Sequence, residues 1–206
     1  MLLASQSSQR AHLRKIGDFA SCGQGRPPTP HRPTCGRLLV KGEPVAIYHC
    51  SIQNISRSDG RSIVACAAYR AGEKLECDTY GKTQDYTRKT GIEYTQIFAP
   101  DGANPDLLNR QNLWNQAEQS ELKKDGSIKQ EARLAKEIEI ALPHELNKRQ
   151  RQALVTELCQ YLVKTHGVAV DIAIHAPHVA GGSDDRNFHA HILITTRTAT
   201  AQGLGA

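Results

Sequence analysis

Two histidines separated by one residue stand in a segment whose other residues are typical of a buried strand. The segment is NFHAHILITTR, residues 187–197, and it carries His189 and His191. Side chains alternate across a β-strand, so both imidazoles project to one face while Ala190 and Ile192 project to the other. Imidazoles on one face of a rigid strand can hold a metal ion, although an H-x-H pair can equally be the solvent-facing side of a strand.

A third histidine falls at the matching position of the preceding predicted strand. In VAVDIAIHAP, residues 168–177, Asp171, Ala173 and His175 share a face by the same alternation. If the two strands are hairpin neighbours, three neutral ring nitrogens can bind a divalent cation and leave it open positions, as catalytic sites do. Imidazole suits zinc, manganese, nickel or iron better than magnesium. His178, in the following loop, is a weaker candidate.

Two carboxylates repeat the pattern in another predicted strand. In AKEIEIALP, Glu137 and Glu139 share one face, and Ile138 and Ile140 share the other. A carboxylate beside a histidine ligand can accept its second N–H and fix the tautomer, or it can take a proton from a nucleophile. The alternative is a pair of solvated glutamates on an amphipathic strand.

A short predicted helix carries a tyrosine among alanines. Ser62 can cap the segment IVACAAYRAG, and Gly72 can end it. The small neighbours of Tyr69 would let a large substrate approach its phenol. A phenol with an ordinary pKa of about 10 is a poor nucleophile unless a metal polarises its target or a base stands near. The local sequence alone favours a tyrosine that only packs its ring and hydrogen-bonds its hydroxyl.

The remaining periodicity predicts an α+β fold. Further strands are predicted over residues 45–55 and 92–100, and helices over residues 105–123 and 145–166. Residues 73–91 are polar and are predicted to be loop or irregular structure. We therefore expect a two-layer sandwich, in which a central antiparallel sheet has helices packed on one face and the other face free for a site.

Charge and composition separate a basic preface from a neutral domain. Residues 1–45 hold seven basic and two acidic side chains, which leaves 19 of each in the remainder of the 206 residues. Residues 1–44 are rich in Pro and Gly, and we expect them to be disordered ahead of one domain over residues 45–206. The six cysteines lack CxxC spacing, which disfavours a thiolate zinc site. No run approaches the roughly 20 apolar residues of a membrane span, and no signal peptide is recognisable, so a cytoplasmic protein without membrane insertion is expected.

Three segments together resemble a known family. They are AIYHCSIQNISRSDGRS with ACAAYRAGEK, then KEIEIALP, then IAIHAP with DDRNFHAHILITTR, and they cover roughly residues 45–197. In order and wording they resemble the N-terminal nicking domain of MobA/MobL-type plasmid mobilisation relaxases, which include the TraA-like conjugative relaxases. The resemblance implies a histidine-hydrophobe-histidine endonuclease with a central antiparallel sheet. It also implies that a tyrosine attacks one strand at the plasmid's origin of transfer, leaving a 5′-phosphotyrosyl link and a free 3′-OH.

The resemblance also implies roles for single residues. Tyr69 matches the nucleophile, and Glu137 or Glu139 matches the acidic residue of the site. The ligands of a divalent metal, with Mg²⁺ or Mn²⁺ foremost, would be His175, His189 and His191. Candidates for gripping phosphates are Arg57, Arg61, Arg70 and Arg186. The tyrosine and lysine side chains of residues 78–90 could stack unpaired bases. The implied partners are single-stranded or locally melted plasmid DNA, accessory mobilisation proteins and a coupling protein.

Two departures and two alternatives accompany the resemblance. About 45 residues precede the first strand, and the chain ends at Ala206, where family members usually continue into a long C-terminal region, so a domain truncated at its C-terminus is expected. A truncated or non-catalytic DNA-binding remnant is one alternative. A histidine-triad nucleotide hydrolase is another, but it requires a third alternating histidine where Leu193 stands.

Overall fold

The computed structural model describes residues 48–205, and the predicted preface over residues 1–44 lies outside the described residues. The strands are β1 (Cys50–Ser56), β2 (Lys74–Cys77), β3 (Lys82–Asp85), β4 (Ile92–Phe98), β5 (Arg133–Ala141), β6 (Val168–His175), β7 (His189–Thr200) and β8 (Gly203–Leu204). The α-helices are α1 (Ile63–Ala71), α2 (Arg110–Ser120) and α3 (Lys148–His166). Within the described range, no helix combines the length and the apolar character that a membrane crossing requires.

An antiparallel sheet forms the centre of the fold. Its strand order is β1-β5-β7-β6-β4, and β8 pairs with β7. The strands β6 and β7 are hydrogen-bonded neighbours, as the hypothesis of three converging histidines requires, and His175 lies opposite His189. On the other side of β7, Glu139 of β5 lies opposite His191. The predicted α+β class and the predicted antiparallel sheet are both confirmed.

Helix α3 covers one face of the sheet. It begins after a capping box at Asn147 and ends at Gly167, whose φ of 65° is the left-handed conformation that favours glycine. Its apolar stripe packs on Ile172 and Ile192 of the two central strands. The stripe consists of Val155, Cys159 and Val163. Each fully buried side chain of this kind contributes about 1.5–3 kcal/mol to folding, so α3 is fixed mainly by apolar burial.

Helices α1 and α2 lie on the opposite face, which corrects the expectation that helices pack on one face alone. Asp171 of β6 accepts hydrogen bonds from Arg110 and Trp114 of α2. Glu137 of β5 pairs with Arg70 of α1. The sequence left a solvated Glu137 as an alternative, but each of these two strand carboxylates binds an arginine from a helix. The face that carries the histidines is therefore partly covered.

The polar segment 73–91 differs from its prediction, because it contains the hairpin β2–β3. Only Leu75 and Cys77 of the two strands are buried, so the hairpin is too short and too exposed to give an apolar period. The helix predicted over residues 105–123 is instead a 3₁₀ turn (Pro105–Leu108) followed by α2.

The predicted boundaries of α1 are confirmed. The hydroxyl of Ser62 accepts from Ala65 N at 3.4 Å, and Gly72, with a φ of 66°, ends the helix. A Cβ added at Gly72 would also lie 2.3 Å from Ile92 Cδ1, so β4 packs closely against this turn. The turn that ends α1 is therefore fixed both by backbone conformation and by contact with the sheet.

Candidate metal centre

Three histidines converge on the sheet face opposite α3. One ring nitrogen from each of His175, His189 and His191 lies within 4.8 Å of the other two, and the ring centroids are 4.9–5.2 Å apart. Antiparallel partners in neighbouring strands project to the same face, so the β6–β7 register creates the group. Within residues 48–205, no other group of three His, Cys, Asp or Glu side chains has such spacing.

Backbone carbonyls fix the tautomers of His175 and His189. His175 Nε2 lies 2.7 Å from the carbonyl oxygen of Arg70, and His189 Nδ1 lies 3.0 Å from that of Asn187. A carbonyl oxygen can only accept, so the bonded nitrogen of each neutral ring carries the proton and the other nitrogen presents a lone pair. Each ring therefore keeps one nitrogen for a cation.

A buried carboxylate orients His191. His191 Nδ1 donates to Glu137 Oε1 at 2.9 Å. The fully buried Glu137 also accepts from Arg70 Nη2 at 2.6 Å and from Gln53 Nε2 at 2.8 Å. Burial alone raises the pKa of Glu137, but the hydrogen bond from His191 and the charge of Arg70 outweigh it and hold that pKa well below its ordinary value. Glu137 is thus a fixed anion, in the position from which carboxylates commonly orient a metal-binding histidine.

Burial keeps two of the imidazoles neutral. Desolvation, reinforced by the ammonium of Lys89, lowers the pKa of His175 to about 3. Desolvation also lowers the pKa of His189. Neutral imidazole is the form that binds metal ions. The donor chemistry therefore fits a divalent cation held by three nitrogens, and nitrogen donors suit Mn²⁺ better than Mg²⁺.

Tyr69 stands in the last turn of α1. It precedes Arg70, the residue whose carbonyl oxygen binds His175. Its half-buried ring meets Tyr86 edge-on with centroids 5.2 Å apart, and Lys89 Nζ lies 3.6 Å from its ring centroid. Lys89 Nζ also donates to the carbonyl oxygen of Tyr69 at 2.9 Å. The segment after β3 therefore holds the proposed nucleophile from outside the helix.

Glu139 differs from Glu137 in its surroundings. Its side chain is 33% exposed, and His49 Nε2 lies 3.7 Å from Glu139 Oε1. It lies opposite His191 in the β5–β7 register, and its charge acts on His189. Glu139 is therefore the carboxylate of the pair that remains accessible beside the histidines.

Two of the arginines predicted to grip phosphates are buried in the protein. Arg57 Nη2 pairs with Glu118 Oε2 at 2.9 Å, and Arg57 Nη1 donates to the carbonyl oxygen of Glu121 at 2.7 Å. Arg70 is 8% exposed and pairs with Glu137. Because these guanidinium groups donate to protein acceptors, a phosphate contact by either one would have to replace an internal ion pair.

The other two arginines remain accessible. Arg61 is half-buried in the turn before α1. Arg186 lies in the loop before β7, where it pairs with Asp184 at 2.7 Å and keeps a third of its side chain exposed. Both remain candidates for phosphate contacts.

Several contacts of the site could not be predicted from the sequence. Tyr86 and Lys89, from the segment that could stack bases, contact Tyr69, 17 and 20 residues before them, because the hairpin β2–β3 folds the chain back. Gln53 and Asn187 bind site residues through an edge strand and a loop, and nothing in their local sequence distinguishes them.

Comparison with known proteins identifies the family. The MobA/MobL family profile matches residues 61–206. Mobilization protein MobL of Acidithiobacillus ferridurans is 37% identical over 170 residues, 73% of this chain and 43% of that protein. Conjugal transfer protein TraA of Agrobacterium fabrum is 32% identical over 79% of this chain, which spans only 14% of TraA.

A solved structure supports the same relationship. It is described as "Molecular Basis of Vancomycin Resistance Transfer in Staphylococcus aureus", and it is 26% identical with a TM-score of 0.66 over 77% of this chain and 75% of that one. The family profile also covers more than half of the chain. The chain therefore belongs to the MobA/MobL family.

Proposed function

We propose that residues 45–206 are the nicking domain of a plasmid mobilisation relaxase, which cuts one DNA strand at an origin of transfer by tyrosine transesterification. The observation that carries the proposal is the junction of three histidines with the turn that bears Tyr69, joined by the 2.7 Å hydrogen bond from His175 to Arg70. The names of the relatives, which concern mobilisation and conjugal transfer, point the same way.

In the proposed reaction, the phenol oxygen of Tyr69 attacks the scissile phosphorus. The Tyr69 Oη–P bond forms, the P–O3′ bond breaks, the phenol loses its proton and the departing 3′ oxygen gains one. A divalent cation held by the three histidines would neutralise charge on the non-bridging phosphate oxygens. The link conserves a phosphoester, so the released 3′-OH can reverse the reaction.

The two glutamates receive different roles in this proposal. Glu137 is a poor proton acceptor, because Arg70 and His191 hold its pKa low and occupy its oxygens. Its role is to orient His191. Glu139, partly exposed beside the same histidines, is the candidate to accept the proton of Tyr69.

The proposed substrate is single-stranded or locally melted plasmid DNA. Arg61 and Arg186 are the accessible guanidinium groups of the predicted set, and Lys89 adds a cation beside the nucleophile. Basic side chains of this kind position the phosphate backbone and do not read its sequence. Accessory mobilisation proteins, a coupling protein and a cytoplasmic location belong to the same proposal.

The test is formation of a covalent protein–DNA adduct. The full chain is incubated with Mn²⁺ and single-stranded DNA spanning the parent plasmid's transfer origin, and adducts are separated on a denaturing gel. We expect a band that Tyr69→Phe abolishes and that Tyr86→Phe, which removes the neighbouring phenol, retains. His189→Ala should lose both the band and Mn²⁺ binding.

Two results would contradict the proposal. A band in Tyr69→Phe would place the nucleophile elsewhere. DNA binding without any band in the parent protein, with Mn²⁺ bound, would instead favour a non-catalytic DNA-binding remnant.

A further inference from the structure

We propose that Arg70 is a positioning residue that ties the tyrosine-bearing turn of α1 to two of the three histidines. This inference rests on the proposed function and deepens it. The guanidinium forks onto Glu137, donating from Nε to Oε1 and from Nη2 to Oε2, the latter at 2.6 Å. The same residue accepts the hydrogen bond of His175 through its carbonyl oxygen at 2.7 Å.

The side-chain branch of Arg70 controls His191. Glu137 Oε1 receives both Arg70 Nε and His191 Nδ1, so one carboxylate oxygen joins the arginine to the ring. A two-point fork fixes a carboxylate in plane and angle, which a single ammonium cannot do. The orientation of His191, and the nitrogen that it offers, therefore depend on Arg70.

The backbone branch of Arg70 controls His175. The carbonyl oxygen sits in the last turn of α1, directly after Tyr69, and its bond to Nε2 leaves Nδ1 of His175 with the lone pair. Arg70 Nη1 also donates to the carbonyl oxygen of Cys66, which holds the side chain against its own helix. A movement of this turn therefore displaces together Tyr69, the carbonyl oxygen that binds His175 and the guanidinium that holds Glu137.

The geometry assigns Arg70 to positioning and not to substrate contact. Its side chain is 9% exposed, and Nε, Nη1 and Nη2 all donate to protein oxygens. A phosphate would have to displace a buried carboxylate to reach it, which would leave the charge of Glu137 in the interior without its guanidinium partner and held only by His191 and Gln53. Arg70 therefore holds the proposed nucleophile, Tyr69, and two of the proposed metal ligands in one connected arrangement.

The experiment compares Arg70→Met with Arg110→Met, because Arg110 also joins a helix to a buried carboxylate of this sheet face but contacts no histidine. Mn²⁺ affinity is measured by titration of folded full-length protein. Arg70→Met should weaken Mn²⁺ binding by about 10–100-fold, the usual loss when the partner that orients a metal ligand is removed. Arg110→Met should change it by less than about threefold while lowering the unfolding midpoint.

A double-variant cycle separates positioning from general stability. In a Glu137→Gln background, Arg70→Met should weaken Mn²⁺ binding by no more than about threefold further, because the carboxylate that transmits its effect is gone. Arg70→Lys, which keeps the charge without the fork, covers the case that Arg70→Met does not fold, and it should lose affinity by about tenfold. Folded variants with parental Mn²⁺ affinity would overturn the inference, as would an equal loss in Arg110→Met.

A metal-free measurement distinguishes failure of this inference from failure of the proposed function. Nitrogen-15 NMR of the imidazoles reports which ring nitrogen carries the proton. The parent should show protonated Nδ1 in His191 and protonated Nε2 in His175, and Arg70→Lys should change the His191 pattern. If the parent forms no DNA adduct but Arg70→Lys changes the His191 pattern, the positioning role of Arg70 is supported and the proposed nicking activity is contradicted. If the His191 pattern is unchanged, the positioning role of Arg70 is contradicted, whether or not the parent forms an adduct.

Discussion

Two buried arginine–carboxylate pairs attach helices to the same face of the sheet, and they differ in what else the carboxylate contacts. Asp171 accepts hydrogen bonds from Nε and Nη2 of Arg110, each at 2.8 Å, and from the indole N–H of Trp114. Glu137 receives Arg70 and, in addition, His191. Similar ion pairs therefore serve the scaffold at α2 and the candidate site at α1.

The difference shows how a buried ion pair that attaches a helix to the sheet can also become part of a site. A buried ion pair contributes little net stability compared with apolar packing, because desolvation offsets the attraction. Its value lies in geometry, since a forked pair fixes both partners. At Asp171 the fixed partner is a helix, whereas at Glu137 the fixed partners are a helix and a histidine.

The largest expected effect concerns the scaffold pair. Asp171→Asn leaves the guanidinium of Arg110 buried with only the half-exposed Glu73 as a charged partner, so the free energy of unfolding should fall by about 3 kcal/mol. Mn²⁺ affinity should stay within about threefold of the parent, because Asp171 contacts none of the histidines through its carboxylate. Urea unfolding and Mn²⁺ titration of the same preparation measure both quantities. A large loss of Mn²⁺ affinity in Asp171→Asn would show that the Arg110–Asp171 pair also supports the histidine group.

The pair at the candidate site, Arg70 with Glu137, should give a smaller effect, and the quantity that changes is Mn²⁺ affinity. Glu137→Gln keeps the shape but removes the charge that holds His191 Nδ1–H, so Mn²⁺ affinity should fall by about 10–100-fold, or about 1.4–2.7 kcal/mol. Glu139→Gln is the matched control, since this carboxylate lies on the same strand and face but is partly exposed. It should leave Mn²⁺ affinity within about threefold while slowing adduct formation. Equal losses of affinity in the two variants would contradict the division of roles between them.

The same comparison explains which parts of the molecule the sequence could predict. Period-two alternation predicted that His189 and His191 share a face, and it predicted that His175 joins them if the two strands are hairpin neighbours, which the pairing of β6 with β7 confirms. The helix with Tyr69 was bounded correctly by its capping serine and terminal glycine. These features each depend on a few neighbouring residues.

The partners of the strand carboxylates could not be predicted from local pattern. Arg110 and Arg70 lie 61 and 67 residues from the carboxylates that they bind, and alternation cannot tell a solvated acid from one that receives a helix arginine. For this reason the sequence did not predict that α1 and α2 cover the second face of the sheet, and it assigned Arg70 to phosphate contact. A buried pair of this kind becomes visible only when the fold brings its partners together.

The smallest expected effect concerns the contacts that hold Tyr69 from outside α1. Lys89→Met keeps most of the side-chain volume but removes the ammonium that lies over the Tyr69 ring, a contact of about 0.5–2 kcal/mol, so adduct formation should slow by roughly 2–30-fold. Mn²⁺ affinity should not fall, because Lys89 is a cation whose charge acts on His175 and His189 and would oppose a metal ion bound there. Lys82→Met, in the exposed strand β3, removes the same charge away from Tyr69 and controls for general attraction of DNA.

Single-turnover rates at two salt concentrations separate the two effects, since a contact with the ring is far less sensitive to salt than long-range attraction. Equal slowing in both variants, abolished by salt, would show that Lys89 acts only through its charge and does not position the ring of Tyr69.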